Sequence, residues 1–461
     1  MAQENGLRFK LVYSHWYTQQ GENFPIANGQ PLETVKEMQE YIPDYMSSFI
    51  DSFLRNFYLD HTFQQGDSKY IFRHTLFLQY FLKRYSMNEV IISSEIVDDG
   101  SVYLYPIEAE LFGINYLAGK NDYSIEQILL ADQQLLDMLR VNKVKLFITN
   151  LIDPCLNYDA VKQVEKTLNS LGIASNNVIF MQGNNLREFN GLTNGIEMIS
   201  GILSLHQAAD LLINFPITAK LGYISDNVKI EDLDSSIRRP FKFISFNRSM
   251  NRSHRLALCY IAIKYNILNQ GYFSFLNFLP NNIQDFLFDI YCDDEFFEIE
   301  EKIKQIVPLE IDTKHLSEQE RESFSTVDCN FKDFYAETYV HITSETVFDD
   351  NVSQFFSEKT WRPIINLQPF IYVGNYKALE VLKSLGFKTF HPYIDESYDL
   401  EQDPKKRFLL IAREIKKLAN KPLNEIHDWY YSITDILIHN QNHLQTFADY
   451  NPFDVLFNKD L

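Results

Sequence analysis

Cysteine is scarce in this chain, and the four present, Cys155, Cys259, Cys292 and Cys329, stand far apart without a Cys-x-x-Cys pair. That spacing argues against a zinc site and nearly excludes a disulfide framework. No apolar run is long enough to cross a bilayer, so no membrane span is expected. The opening residues MAQENGLRFK lack the apolar core of a secretory signal, which makes a cytoplasmic setting the expectation. A Walker A loop, a Gly-x-Ser-x-Gly elbow and a Ser-His-Asp set are also missing, leaving P-loop and serine-hydrolase chemistry without support. The acidic pairs Asp98-Asp99, Asp293-Asp294 and Asp349-Asp350 are adjacent rather than spaced as Asp-x-Asp after a clear strand. A magnesium or manganese site therefore lacks its usual carboxylate pair. His439 and His443 share one helical face, but no carboxylate motif accompanies them, and no metal is expected.

What is abundant is apolar and acidic. Hydrophobic residues make up 45% of the 461-residue chain and aromatics 15%, with 27 Tyr and 37 Phe. Such a chain folds, and it is long enough for two or three domains. The net charge of −20 disfavours duplex DNA and anionic surfaces as partners. A cationic cluster in so acidic a sequence needs a local reason.

The pattern predicts a strand over 8–13, a largely helical stretch with a dense aromatic face over 33–90, and a strand within 90–96. A β-α-β unit follows: strand 143–153, helix 159–172 ending at Gly172, and strand 177–183. After the charged, proline-marked SSIRRP (235–240) the pattern restarts with strand 240–246 and a helix over 253–265, with Ser253 as a plausible N-cap. Residues 285–335 are acidic and mainly helical. Strand 338–345, a helix from Ser357, strand 369–374, a helix ending before Gly386 and a strand over 387–394 come next. Two amphipathic helices split near Pro422 are expected in the tail, 401–447. The fold class expected is α/β: two Rossmann-like domains facing a cleft, residues 1–235 and 236–461, with helical insertions and a helical C-terminal tail. Ligands in such sheets bind beyond the carboxyl ends of the strands.

Two stretches at those ends carry chemistry. FNRSMNRSHR (246–255) gathers Asn247, Arg248, Arg252, His254 and Arg255 between a strand and a helix start. Backbone N–H groups there favour an anion, and arginine forks match phosphate oxygens, so a phosphate clamp is indicated. The plain alternative is a solvated turn whose arginines meet surface carboxylates. FFSEKTWRPIINLQPFIYVGN (355–375) places Ser357 as a helix cap with Glu358 and Lys359 in the first turn. A lysine there opposes the helix dipole unless an anion lies at the same terminus. Glu358 can accept from a ribose diol, and Trp361 stands evenly between base contact and core. The acidic stretch IDESYDLEQD (394–403) reads as a solvated loop before it reads as a ligand contact.

The run TSETVFDDNVSQFFSEKTWRPIINLQPFIYVG resembles the donor-binding motif of the fucosyltransferase family and, more broadly, the C-terminal domain of GT-B glycosyltransferases. The resemblance extends over roughly 240–400. It implies that Glu345 is the acidic strand end, Ser357, Glu358 and Lys359 the Ser/Thr-Glu-Lys helix start, and Pro369 to Gly374 the following strand. It further implies that Arg248 reaches the donor diphosphate, with Arg252 and Arg255 less closely matched. The function so implied is metal-independent, inverting transfer of a sugar from a nucleoside-diphosphate sugar to a hydroxyl of a glycan, protein or other acceptor. No cofactor is required beyond that donor substrate. A general base is then needed within reach of the acceptor oxygen. His15, Glu22, Glu95 and Asp153, at N-terminal strand ends, are the candidates, one being expected to serve. A non-catalytic nucleotide- or glycan-binding protein of the same fold is the second expectation.

Overall fold

The computed structural model describes residues 9–13, 90–92, 96–98, 100–108, 118–119, 124–130, 132–150, 158–182, 184–185, 196–199, 227–250, 252–277, 283, 296–311, 332–348 and 354–446. The chain divides into two compact units, Met1–Leu203 with Asn451–Leu461, and Ser204–Tyr450.

In the first unit six strands form one sheet: β1 (Phe9–Tyr13), β2 (Val90–Ile92), β3 (Val102–Glu108), β4 (Val144–Asn150), β5 (Val178–Gln182) and β6 (Glu197–Ile199). Their spatial order is β2-β1-β3-β4-β5-β6, and every pairing is parallel. Helices α1 (Ile125–Leu130), α2 (Gln133–Arg140) and α3 (Tyr158–Ser170) are the helices among the described residues of this unit. Asp132 starts α2 by accepting the Leu135 N–H at 3.0 Å. Along α3 the buried apolar residues Ala160, Val161, Val164 and Leu168 form a stripe that joins Tyr105, Leu146, Ile148 and Phe180 of the sheet in one core. Past its end, Gly172 adopts φ +82°, the left-handed backbone that lets the chain turn into β5. The β-α-β reading of 143–183 thus corresponds to β4, α3 and β5. Residues 33–89 lie outside the described residues.

The second unit holds a four-stranded parallel sheet of β7 (Phe241–Ser249), β8 (Gly271–Asn277), β9 (Thr338–Ser344) and β10 (Phe370–Val373). Its order is β10-β9-β7-β8. All of β9 and β10 is buried, as expected for strands covered on both faces. Among the described residues its α-helices are α4 (Ser253–Lys264), α5 (Phe296–Ile306), α6 (Lys332–Ala336), α7 (Glu358–Ile365), α8 (Ala378–Ser384), α9 (Pro404–Asn420), α10 (Leu423–Ser432) and α11 (Thr434–Thr446). The expected boundary at 235/236 lies inside this unit. Val228 is tied to it through its N–H to Asn366 Oδ1 (3.0 Å) and its carbonyl to Gln441 Nε2 (3.1 Å). Arg239, within the SSIRRP stretch, is buried and donates to the carbonyls of Tyr335 and Thr338 and to the Tyr430 hydroxyl.

Four local expectations change. Strand 240–246 runs on to Ser249, so Asn247 and Arg248 lie on β7 rather than in a loop. Helix α4 begins at Ser253 itself, and its N-cap is Arg252. Residues 387–394 are not a strand, because side chains take their backbone groups. Asn440 bonds both the N–H and the carbonyl of Lys388 at 2.8 Å, and Glu396 accepts the Phe390 N–H at 2.6 Å. The tail holds three helices, Pro422 preceding α10 and a second break falling at Ile433 between α10 and α11.

The acidic stretch 394–403 is likewise no solvated loop. Glu396 and Asp399 are buried. Asp399 accepts the N–H groups of Leu379 (2.9 Å) and Glu380 (3.0 Å) at the start of α8, while Glu396 also takes Lys383 Nζ at 3.0 Å. Asp403 caps α9 by accepting the N–H of Lys405 and Lys406. His439 and His443 bond the carbonyls of Gly386 and Leu385 just past α8.

Candidate functional site

The winding of the second sheet decides where a ligand fits. From β7 the chain goes to β8 on one side, then returns to β9 on the other side and moves outward to β10. The direction reverses between β7 and β9, and the crevice beyond their carboxyl ends is the place where such sheets bind ligands. Two helices start there, α4 after β7 and α7 after β9.

The α7 start is closed by the protein's own anion. Glu345, the residue after β9, is fully buried. Its Oε1 accepts the Ser357 N–H at 3.0 Å and the Thr360 hydroxyl, and its Oε2 accepts the Ser357 hydroxyl at 2.7 Å and the Thr346 N–H at 3.0 Å. Ser357 is the N-cap, accepting the Lys359 N–H at 3.3 Å. The half-buried Lys359 directs its ammonium to Ser357 Oγ (3.3 Å) and Thr346 Oγ1 (3.5 Å). The anion that a lysine at this helix start calls for is therefore present within the fold, as the Glu345 carboxylate. Trp361, on the same helix, is completely buried against Phe356 and Phe387 and belongs to the core.

The α4 start is different. Its N-cap Arg252 is exposed and makes no side-chain capping bond. His254 and Arg255 in its first turn are buried, and both reach across to the Glu345 carbonyl, His254 Nε2 at 2.8 Å and Arg255 at 3.3 Å. Burial, reinforced by the positive charges of Arg255, Arg252 and Lys359, pushes the His254 imidazole down to about 3. It is therefore neutral, with Nε2–H donating to the carbonyl. The ring stacks on Phe348 at 5.3 Å, and the buried Arg407 lies over the same phenyl at 4.7 Å while donating to the carbonyls of Phe348, Glu401 and Gln402.

Three cations of the sequence-derived set, Arg252, Arg255 and Lys359, thus act on one neutral histidine at the crevice. Glu345 and Ser357 are joined directly. Asn247 is buried near the end of β7, Arg248 follows it on the strand, and Glu358 is the first residue of α7. His15, Glu22, Glu95 and Asp153 lie outside the described residues. Sequence reading did not single out Arg407, which holds the segment after β9. Its signal, an arginine on the apolar side of an amphipathic helix beside Phe408, was present in α9. Among the described residues no group of three or more His, Cys, Asp or Glu is placed to hold a metal ion, and no helix is long and apolar enough to cross a membrane.

No family model and no curated protein matches this chain. Among solved structures, one titled "OtsA apo structure" aligns over 98% of this chain and 100% of its own at 9% identity, with a TM-score of 0.37. A likeness that slight carries no argument.

Proposed function

We infer that the crevice between the ends of β7 and β9 holds the diphosphate of a nucleoside-diphosphate sugar, and that the protein is a glycosyltransferase of the GT-B kind. One observation carries the reading: the buried His254 and Arg255 meet at the Glu345 carbonyl, next to the exposed Arg252 at a helix start that lacks a side-chain cap, in a chain of net charge −20. Such a place favours a phosphate anion. Arg252 and its neighbours stabilise the charge that builds on the leaving diphosphate, in a scheme that asks for no metal. The first unit supplies the acceptor side, and His15, Glu22, Glu95 or Asp153 removes the acceptor proton, giving inversion. The fucosyltransferase-like motif around Ser357-Glu358-Lys359 supports a hexosyl or deoxyhexosyl donor.

The experiment is thermal unfolding of the protein with GDP-, UDP-, dTDP- and CMP-sugars, followed by assay of sugar release and transfer. A donor present at a hundred times its dissociation constant stabilises the fold by about 2.7 kcal/mol. No shift with any of them contradicts the reading. A shift without release or transfer favours a non-catalytic nucleotide-binding protein instead.

A further inference from the structure

Two buried polar side chains at the crevice have no hydrogen-bond use for part of their capacity. Asn247 near the end of β7 and Ser344 at the end of β9 are 1% and 3% exposed, and Asn247 Oδ1 and Ser344 Oγ have no partner. Unsatisfied buried polar atoms are uncommon and costly, so each asks for an explanation. The pairing of β7 with β9 matches Val340 with Phe243 and His341 with Ile244 in parallel register. Carried forward along both strands, that register sets Ser344 beside Asn247, on one face of the sheet.

The orientation of the amide follows from its neighbour. Ser245 has one hydroxyl proton, and it donates to the Ile342 carbonyl at 3.0 Å. Ser245 Oγ can then only accept from Asn247, which it does at 3.2 Å from Nδ2. The unpartnered end of Asn247 is the acceptor Oδ1.

The face is also fixed. Side chains alternate along a strand, so Glu345 faces away from Ser344, and Glu345 meets Thr360 and Ser357 at α7. The crossovers β7-α4-β8 and β9-α7-β10 run in opposite directions along the sheet, and right-handed connections place their helices on opposite faces. Asn247 and Ser344 are therefore on the α4 side, the side of Arg252 and Arg255.

We propose that Asn247 Oδ1 and Ser344 Oγ form the sugar-reading part of the α4 crevice, binding hydroxyl groups carried next to a phosphate. This rests on the anion reading of the same crevice and sharpens it. The arginines take the anionic oxygens of a phosphate, so inorganic phosphate or pyrophosphate meets them but brings no sugar hydroxyl to Asn247 Oδ1. A ligand with a hydroxyl beside its phosphate meets both. Ser344 Oγ, which can donate or accept, completes the contact in either sense. Both atoms are beneath the surface in the unliganded protein, so binding displaces what covers them.

The test compares wild type with Ser344→Ala and Asn247→Leu in calorimetric titrations of the nucleotide-sugar panel, of glucose 1-phosphate and of inorganic pyrophosphate. Ser344→Ala deletes one oxygen and keeps the strand, so it remains informative if Asn247→Leu fails to fold. The expected result is about a tenfold loss for hydroxyl-bearing ligands in each variant, with pyrophosphate affinity unchanged, consistent with one hydrogen bond apiece. Equal sugar-ligand affinity in wild type and Ser344→Ala overturns the inference while leaving the anion reading intact. If wild type binds no nucleotide sugar but binds glucose 1-phosphate with the same sensitivity, the glycosyltransferase reading fails and this one holds. Absence of binding to all of them overturns both.

Discussion

The two helix starts at the switch point share a strand-end position and a cationic neighbour, yet they are finished in opposite ways. At α7 a buried carboxylate from the preceding strand end takes the Ser357 N–H and two hydroxyls, and Lys359 turns back over the cap. At α4 the cap position is an exposed arginine without a capping bond, and the first turn adds a neutral histidine and a second arginine. A helix start that carries its own anion is a structural joint. One surrounded by cations and without a side-chain cap is a place for an anion from outside. The two helix starts are thus finished differently, and the α4 start is the one we propose for the diphosphate.

The largest effect expected from breaking this contrast is at the closed joint. Glu345→Ala leaves Ser357 and Thr360 donors buried without an acceptor and is expected to destabilise the second unit by roughly 3 kcal/mol or more, read from urea midpoints. A loss below about 1 kcal/mol removes the joint from the account.

The second effect is pH. His254 and His341 are both held down to about 3 by burial, and the unfolded chain protonates them near the ordinary 6.5. Their contribution is complete above about 6.5 and is lost as pH falls towards 3. Asp399 acts in the opposite sense. Burial raises it from 3.8 to about 6, so its contribution is present below 3.8 and is lost as pH rises through 6. Urea midpoints from pH 4 to 6 give the net slope. His254→Gln is expected to lower the rise with pH by up to one proton, about 1.4 kcal/mol per pH unit, and Asp399→Asn to steepen it. The same slope in His254→Gln as in wild type contradicts a neutral, buried imidazole.

The smallest effect on stability belongs to the open start. Arg252→Ala is expected to shift stability by no more than about 0.5 kcal/mol, because the side chain is exposed and caps nothing. A larger shift in the unliganded protein makes Arg252 a structural residue.

Much of this was legible in the sequence where local chemistry and periodicity agree. Ser357 as the α7 cap, the strand of 338–345 and the glycine ending α8 follow from capping, apolar runs and turn residues. Residues 387–394 read as a strand by sequence, but Asn440 and Glu396, distant or downstream, claim the backbone groups a neighbouring strand would have used. A lysine in the first turn of α7 calls for an anion at that terminus, and local sequence suggests a ligand's phosphate. The carboxylate at that terminus belongs to Glu345, twelve residues before Ser357, and only tertiary structure brings it there. The pairing of Asn247 with Ser344 likewise depends on strand register, which no local pattern encodes.

Calorimetric titration of a nucleoside diphosphate into wild type and Arg252→Ala tests the central contrast most directly. The account predicts binding to wild type that weakens with added salt, and about a tenfold loss in Arg252→Ala without a change in folding. Equal affinity in the two proteins, or no binding to wild type, contradicts it.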